Sequence, residues 1–197
     1  SWMGGDRDGN PFVTHPVTAE VIALARSMAC DLYLRDVDTL RADLSLSHCG
    51  DALRAKVGGA SREPYRDWLK HIRQRLQATQ AATLMSLGQS ELVPHTERSL
   101  AEPYESQATL RADIQLCHDD LQDAGLGLLC GGGLTDTLRR VSLFGFGLLR
   151  LDIRQESSRH ADALAAITQY LNLGDYNAWD EARRQQFLLQ ELASPRP

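Results

Sequence analysis

Residues 148–160 read LLRLDIRQESSRH, and the fold turns on how this stretch is read. Side chains alternate along an extended chain, so Leu149, Leu151 and Ile153 share one face while Leu148, Arg150, Asp152 and Arg154 share the other. One face is apolar and the other is mostly charged. A surface strand gives that pattern, with its charges in water. A barrel strand also gives it, with the apolar residues against an outer layer of helices and the charges turned inward. The charges crowd toward the C-terminal end, where such barrels keep their chemistry.

On either side the chain reads as helix. Thr14 is an N-cap candidate with Pro16 in the first turn, and Val17, Val21, Leu24, Met28 and Leu32 follow at spacings of three and four. Leu40 and Leu44 extend that stripe, and the helix ends before Ser47–Gly50. Pro64 opens a second helix with Tyr65, Trp68, Leu69, Ile72 and Leu76 on one side, between loops at 58–61 and 88–96. A third runs from about Leu100, with Tyr104, Ala108, Ile114, Cys117 and Leu121 inward, and stops at Gly125. Leu134 to Phe144 forms a short helix with Gly145 as its C-cap. After the strand comes a helix through Ala161, Leu164, Ile167 and Leu171, closed by Gly174. Asn177 can cap a last helix, with Asp180 at its positive end. Six helical patterns and one strand are a poor recipe for a complete α/β domain. A lone strand cannot satisfy its own backbone edges, so its sheet partners are expected outside this chain. The fold class expected is a mainly α-helical fragment with one or two strands, a piece of a helix-rich α/β barrel of the TIM type.

Composition narrows the function. The chain has 197 residues, 43% of them hydrophobic, and a formal charge of -5. The acidity argues against nucleic acid as a partner, since phosphate surfaces need clustered Lys and Arg. No run of 18 apolar residues exists, so no membrane span is expected. Asp6, Arg7 and Asp8 stand where a signal peptide would need an apolar core. The absence of an initiator Met suits an excised or a processed chain equally. Cys30, Cys49, Cys117 and Cys130 form no Cys-x-x-Cys pair, so zinc has little support. Free thiols in a reducing cytoplasm are expected, with Cys30 and Cys117 buried.

The residues with chemical potential lie at the two ends of the pattern. Arg154, at a strand's C-terminal end, offers a rigid fork of donors matched to phosphate oxygens; its bland alternative is an ion pair with Asp152 or Glu156. Trp2, beside Met3 and two glycines, reads as an apolar plug. Asp6, Asp8 and Asn10 match the first ligands of a calcium loop, but Pro11 replaces its Gly and Val17 its bidentate Glu. Ion pairs bracing a turn around Asp6, Arg7 and Asp8 fit better. The glycine run GLGLLCGGG at 125–133 has no preceding strand, so a nucleotide fingerprint is poorly supported and a flexible connection is expected. Arg139-Arg140 and Arg183-Arg184 read as solvated pairs, and His160 as packing near the strand end.

Two long motifs carry a resemblance. LLRLDIRQESSRH resembles the segment of phosphoenolpyruvate carboxylase that holds one of its active-site arginines, and SWMGGDRDGNP, at the start, resembles a second motif of the same family. EPYRDWL, RQRLQATQ, DTLRRV, YLNLGDYNAW and ELASPRP fit between and after them. The whole chain is thus similar to an internal segment of the bacterial-type enzyme. The resemblance divides it into a turn-rich active-site opening (1–13), a helical region (14–145), a barrel strand with its active-site loop (146–157) and two helices (158–197).

The resemblance implies a carboxy-lyase of the tricarboxylic acid cycle's supply of oxaloacetate. Bicarbonate attacks the phosphorus of phosphoenolpyruvate, and the resulting carboxyphosphate yields carbon dioxide, which the enolate of pyruvate captures. It implies Arg154 as the catalytic, phosphate-binding residue. It implies Trp2 as part of an apolar pocket for carbon dioxide, with Asp152 and Arg7 as further substrate-binding candidates. Magnesium or manganese would be held by ligands outside this chain. The partners implied are phosphoenolpyruvate, bicarbonate and the rest of the parent chain, in a cytoplasmic homotetramer. His15-Pro16 only superficially matches the family's histidine motif, since Thr and Glu do not follow, so the catalytic histidine is expected before Ser1. The chain alone is then expected to be inactive. The rival from another class is a non-catalytic helical interaction module.

Overall fold

The long apolar stripe near the N-terminus does become one long helix. In the computed structural model, which describes residues 2–89, 101–148 and 150–195, α1 spans His15–Asp43. It is followed by α2 (Asp51–Val57), α3 (Pro64–Ser86), α4 (Gln107–Asp123), α5 (Gly133–Phe144), α6 (Ser157–Tyr170) and α7 (Glu181–Leu192). The chain divides into two units, one made of 15–150 and the other of 1–14 with 151–197.

In the unit 15–150, α1 lies along α3, and α4 packs on α5. Cys30, Tyr33, Val37 and Leu40 meet Tyr65, Leu69, Ile72 and Leu76 in a core completed by Leu110, Ile114, Cys117, Leu121, Leu134 and Val141. The stripe read from the spacing is buried at its C-terminal end, at Leu40 and Leu44, but not in its first half. Leu24, Met28 and Leu32 are 42%, 53% and 41% exposed, while Ala29, Cys30, Tyr33, Val37 and Leu40 face inward. The helix carries two apolar stripes at the same period, and periodicity cannot say which one meets α3. The stripe on α3 is as expected.

Polar staples fix the packing. Asp120 is buried; its Oδ2 accepts from the Tyr65 hydroxyl at 2.5 Å and its Oδ1 from the Gly50 amide at 2.9 Å. Asp113 accepts from Arg75 at 2.9 Å and from the Tyr104 hydroxyl at 2.8 Å. These bonds tie α3 and two loops to α4. Burial holds both tyrosines protonated well beyond their ordinary range, and the neighbouring carboxylates add to this. Buried polar groups are tolerated here because each has a partner.

Several local expectations change. The short α2 was not foreseen; only Leu53 of its seven residues is buried, so it carries almost no periodic signal. α4 begins at Gln107 because the Ser106 side chain caps it, accepting from the Thr109 amide at 3.3 Å, and Ala108 is exposed rather than inward. The glycine run, which connects α4 and α5, contains a 3-10 turn at Gly127–Cys130. Gly145, at φ 51°, does end α5. Residues 90–96 of the second loop lie outside the described residues.

In the unit of 1–14 and 151–197, α6 packs on a 3-10 turn at Tyr176–Ala178. The Tyr176 amide donates to the buried Thr168 hydroxyl at 3.2 Å. Tyr176, Trp179 and Phe187 cluster with ring centroids 5.3–6.2 Å apart. Arg184 is not simply solvated: it donates to the Tyr176 and Asn177 carbonyls at 3.1 and 2.8 Å. Nor is Arg183, which lies 4.4 Å from the centre of the Trp179 ring. The cap of α7 is Asp180, accepting from the Arg183 amide at 2.8 Å, because it directly precedes the helix; Asn177 sits in the turn before it.

The alternating strand expected over 148–154 does not form a regular ladder among the described residues. Its pairing is a single parallel bridge, Asp6 to Arg154. A strand needs a neighbour of similar length, and among the described residues only Gly5–Arg7 pairs with it. Ile153 is 58% exposed, so no helical layer covers it among the described residues. Leu149 lies outside the described residues, and His160 is exposed on α6.

Candidate active site

Two segments far apart in sequence make the bridge. Residues 2–6 fold into a turn in which the Gly5 and Asp6 amides donate to the Trp2 carbonyl at 2.9 and 3.0 Å. Gly4 adopts φ 76°, in the left-handed region that Gly enters at little cost. The turn then pairs with 154: the Arg154 amide donates to the Gly5 carbonyl at 3.0 Å, and the Arg7 amide to the Arg154 carbonyl at 2.9 Å. Backbone bonds thus brace this turn.

This pairing sets three side chains together. The Trp2 indole Nε1–H donates to Asp152 Oδ2 at 2.9 Å. The same oxygen lies 3.4 Å from Arg154 Nε. The Arg154 guanidinium carbon stands 4.5 Å from the centre of the Trp2 ring, a cation–π contact. The trio is open: Trp2 is 57% exposed, and the Arg154 and Asp152 side chains are about half exposed. At such exposure the ion pair contributes only about 0–1 kcal/mol to stability. Arg154 therefore has its local carboxylate partner, and half of its side chain is still exposed to solvent. Such a group can still receive an anion.

Arg7 is half-buried and lines a cleft of about 350 Å³ with Asn10, Gln155, Glu156 and Arg159. Arg159 was not singled out from sequence. Its signal was present in the same charged run, at the third position of α6, where an arginine also passes for a solvated helix residue. Trp2 does not line this cleft. His15 begins α1 and is exposed, as read.

The donor set does not fit a metal. Among the described residues, no group of three or more His, Cys, Asp or Glu side chains is placed to hold a cation. The Asp6–Asp8–Asn10 run is used locally instead: Asp6 Oδ1 accepts from the Asp8 amide at 3.4 Å and Asn10 Oδ1 from the Phe12 amide at 3.0 Å. Among the described residues, no helix is long and apolar enough to cross a membrane.

Comparison with known proteins bears on this geometry. The family model described as phosphoenolpyruvate carboxylase matches residues 1–197. Curated relatives with that name include those of Pseudomonas aeruginosa, 51% identical over 201 residues, and Pseudomonas syringae pv. syringae, 53% identical over 197. That of Vibrio vulnificus is 46% identical over 197 residues. Each match covers 100% of this chain and 22% of the relative. The chain belongs to the phosphoenolpyruvate carboxylase family, and it spans about a fifth of the length of the curated relatives it matches.

Proposed function

We propose that this chain supplies one wall of the active site of an enzyme that carboxylates phosphoenolpyruvate with bicarbonate to give oxaloacetate and phosphate. What supports the reading is the meeting of Trp2, Asp152 and Arg154, drawn from the two family motifs 150 residues apart, at one open surface. Arg154 receives the phosphate of phosphoenolpyruvate. Its charge is permanent, and its planar donors match phosphate oxygens two at a time. As the phosphoryl group moves to bicarbonate, charge shifts between oxygens, and a fixed guanidinium stabilises that redistribution without reorganising. Trp2 covers one face of Arg154 and keeps water from it. Arg7, on the neighbouring segment, adds positive potential. The metal ion is held by other parts of the full-length protein.

The test is Arg154→Ala in the full-length enzyme. The expected result is a loss of kcat/KM for phosphoenolpyruvate of about 100- to 1000-fold, matching the ~2.7–4 kcal/mol carried by one preorganised donor. Near-normal kinetics would remove Arg154 from the reaction. The 197-residue chain alone, given phosphoenolpyruvate, bicarbonate and magnesium and coupled to malate dehydrogenase, is expected to show no turnover. The exposed Leu128, Leu143 and Phe144, at 93%, 78% and 52%, favour a second reading as a helical interaction module. A harmless Arg154→Ala would leave that one standing.

A further inference from the structure

We propose that Asp152 is a positioning residue, whose single oxygen Oδ2 sets the Trp2 indole and the Arg154 guanidinium relative to each other. The inference rests on the phosphate-binding role proposed for Arg154. Three contacts close a triangle: Trp2 Nε1 to Asp152 Oδ2 at 2.9 Å, Arg154 Nε to the same oxygen at 3.4 Å, and the guanidinium over the indole ring at 4.5 Å. Any two of them constrain the third.

The choice of atoms matters. Arginine has one Nε–H and two terminal nitrogens, and bidentate phosphate recognition uses two N–H groups on one edge of the plane. The closest approach of Asp152 is through Nε. The two terminal nitrogens are thus not the closest contact of Asp152, on a side chain that is half exposed to solvent. The indole blocks rotation on one face. A half-exposed arginine would otherwise sample many rotamers, and ordering it on binding would weaken the substrate contact. The carboxylate places this order in the protein before substrate arrives. Asp152 itself accepts and cannot donate, so it repels the phosphate it helps to seat and acts only through Arg154 and Trp2.

The backbone adds a second constraint. The Arg154 amide and carbonyl are both bonded to the Gly5–Arg7 segment, at 3.0 and 2.9 Å. Trp2 belongs to the same turn as Gly5 through the bonds to its own carbonyl. A shift of either segment therefore reaches Arg154 through main chain and side chain together.

The experiment is a double-mutant cycle in the full-length enzyme with KM for phosphoenolpyruvate, kcat and inhibition by inorganic phosphate as readouts. Asp152→Asn keeps the shape and can still accept from the indole but loses the charge that holds Nε. It is expected to raise KM and the phosphate inhibition constant by about two- to fivefold, the size of one half-exposed ion pair, with kcat little changed. Trp2→Phe keeps a ring for the cation and removes the N–H, and it should raise the same two constants without depending on whether Asp152 variants fold. In an Arg154→Ala background, Asp152→Asn and Trp2→Phe should add nothing. Asp152→Glu should restore part of the affinity that Asp152→Asn loses.

The proposal is overturned if Asp152→Asn leaves both constants at wild-type values, or if its effect persists at full size once Arg154 is alanine. A normal Arg154→Ala enzyme would instead overturn the phosphate-binding reading itself. A crippled Arg154→Ala beside a normal Asp152→Asn would overturn the positioning role alone.

Discussion

A β-carbon on Gly5 would lie 2.5 Å from the carbonyl oxygen of Asp152 and 3.1 Å from the Leu151 side chain. The two segments that bring Trp2 to Arg154 pass each other at a distance that only glycine permits. Backbone cannot yield as the tip of a long side chain can.

Gly5→Ala is therefore expected to separate residues 5–7 from 152–154 and to weaken phosphoenolpyruvate binding in the full-length enzyme about as much as Asp152→Asn does. Overpacking of this kind costs ~1–3 kcal/mol. Gly9→Ala is the control. Gly9 sits at φ 68° with nothing within reach of a β-carbon, so only about 1–2 kcal/mol of backbone strain is at stake and KM should hold. Equal effects of the two substitutions on KM would contradict the close-approach account.

Asp120→Ala should destabilise the 197-residue chain strongly, because it strips the buried Tyr65 hydroxyl and the Gly50 amide of their acceptor. About 2–4 kcal/mol is expected from two groups of this kind. Tyr65→Phe removes the donor instead and should cost roughly 1–2 kcal/mol. Urea unfolding followed by circular dichroism measures both. An Asp120→Ala midpoint within error of wild type would mean the network contributes nothing net.

Alkaline pH should destabilise the same unit. Burial raises the tyrosines, Tyr33 to about 12 and Tyr65 and Tyr104 further. Unfolded tyrosine ionises near 10, so above roughly pH 10 the unfolded chain loses protons that the folded chain keeps. The stabilisation is thus complete below that value and declines as pH rises through it. Tyr65→Phe should flatten the decline in a plot of melting temperature against pH between about 9 and 11. An unchanged slope would show that Tyr65 ionises as freely folded as unfolded.

Thiol reactivity should separate Cys49 from Cys30 and Cys117. Burial pushes Cys30 and Cys117 up to about 12, and both are fully buried, whereas Cys49 is half-buried. The thiolate is the reactive form, so at pH 8 a disulfide reagent should modify Cys49 first. Cys30 and Cys117 should react only at the rate of unfolding. Mass spectrometry of the labelled peptides reads the order directly, and early modification of Cys117 would contradict the packing of α4.

Helix existence was largely legible because a 3.6-residue period repeats over ten or more residues: α3 appears with the face that Tyr65, Trp68, Leu69, Ile72 and Leu76 announce. What failed was whatever period does not encode. α1 has two apolar stripes, and only α3 decides which is buried. α2 is too short to show one. The cap of α7 depends on where its first turn begins. The extended run around Arg154 was recognised by its alternation, yet a ladder depends on a neighbour's length, and Gly5–Arg7 offers one bridge.

The amino-acid order by itself determined the family, the helical character and the identity of the charged and aromatic residues at the two ends, because these are written in local pattern and motif. Only the tertiary structure decided that Trp2, Asp152 and Arg154 share one oxygen and one ring face. Contacts across 150 residues follow from how the backbone closes on itself, and here that closure runs through the missing side chain of Gly5.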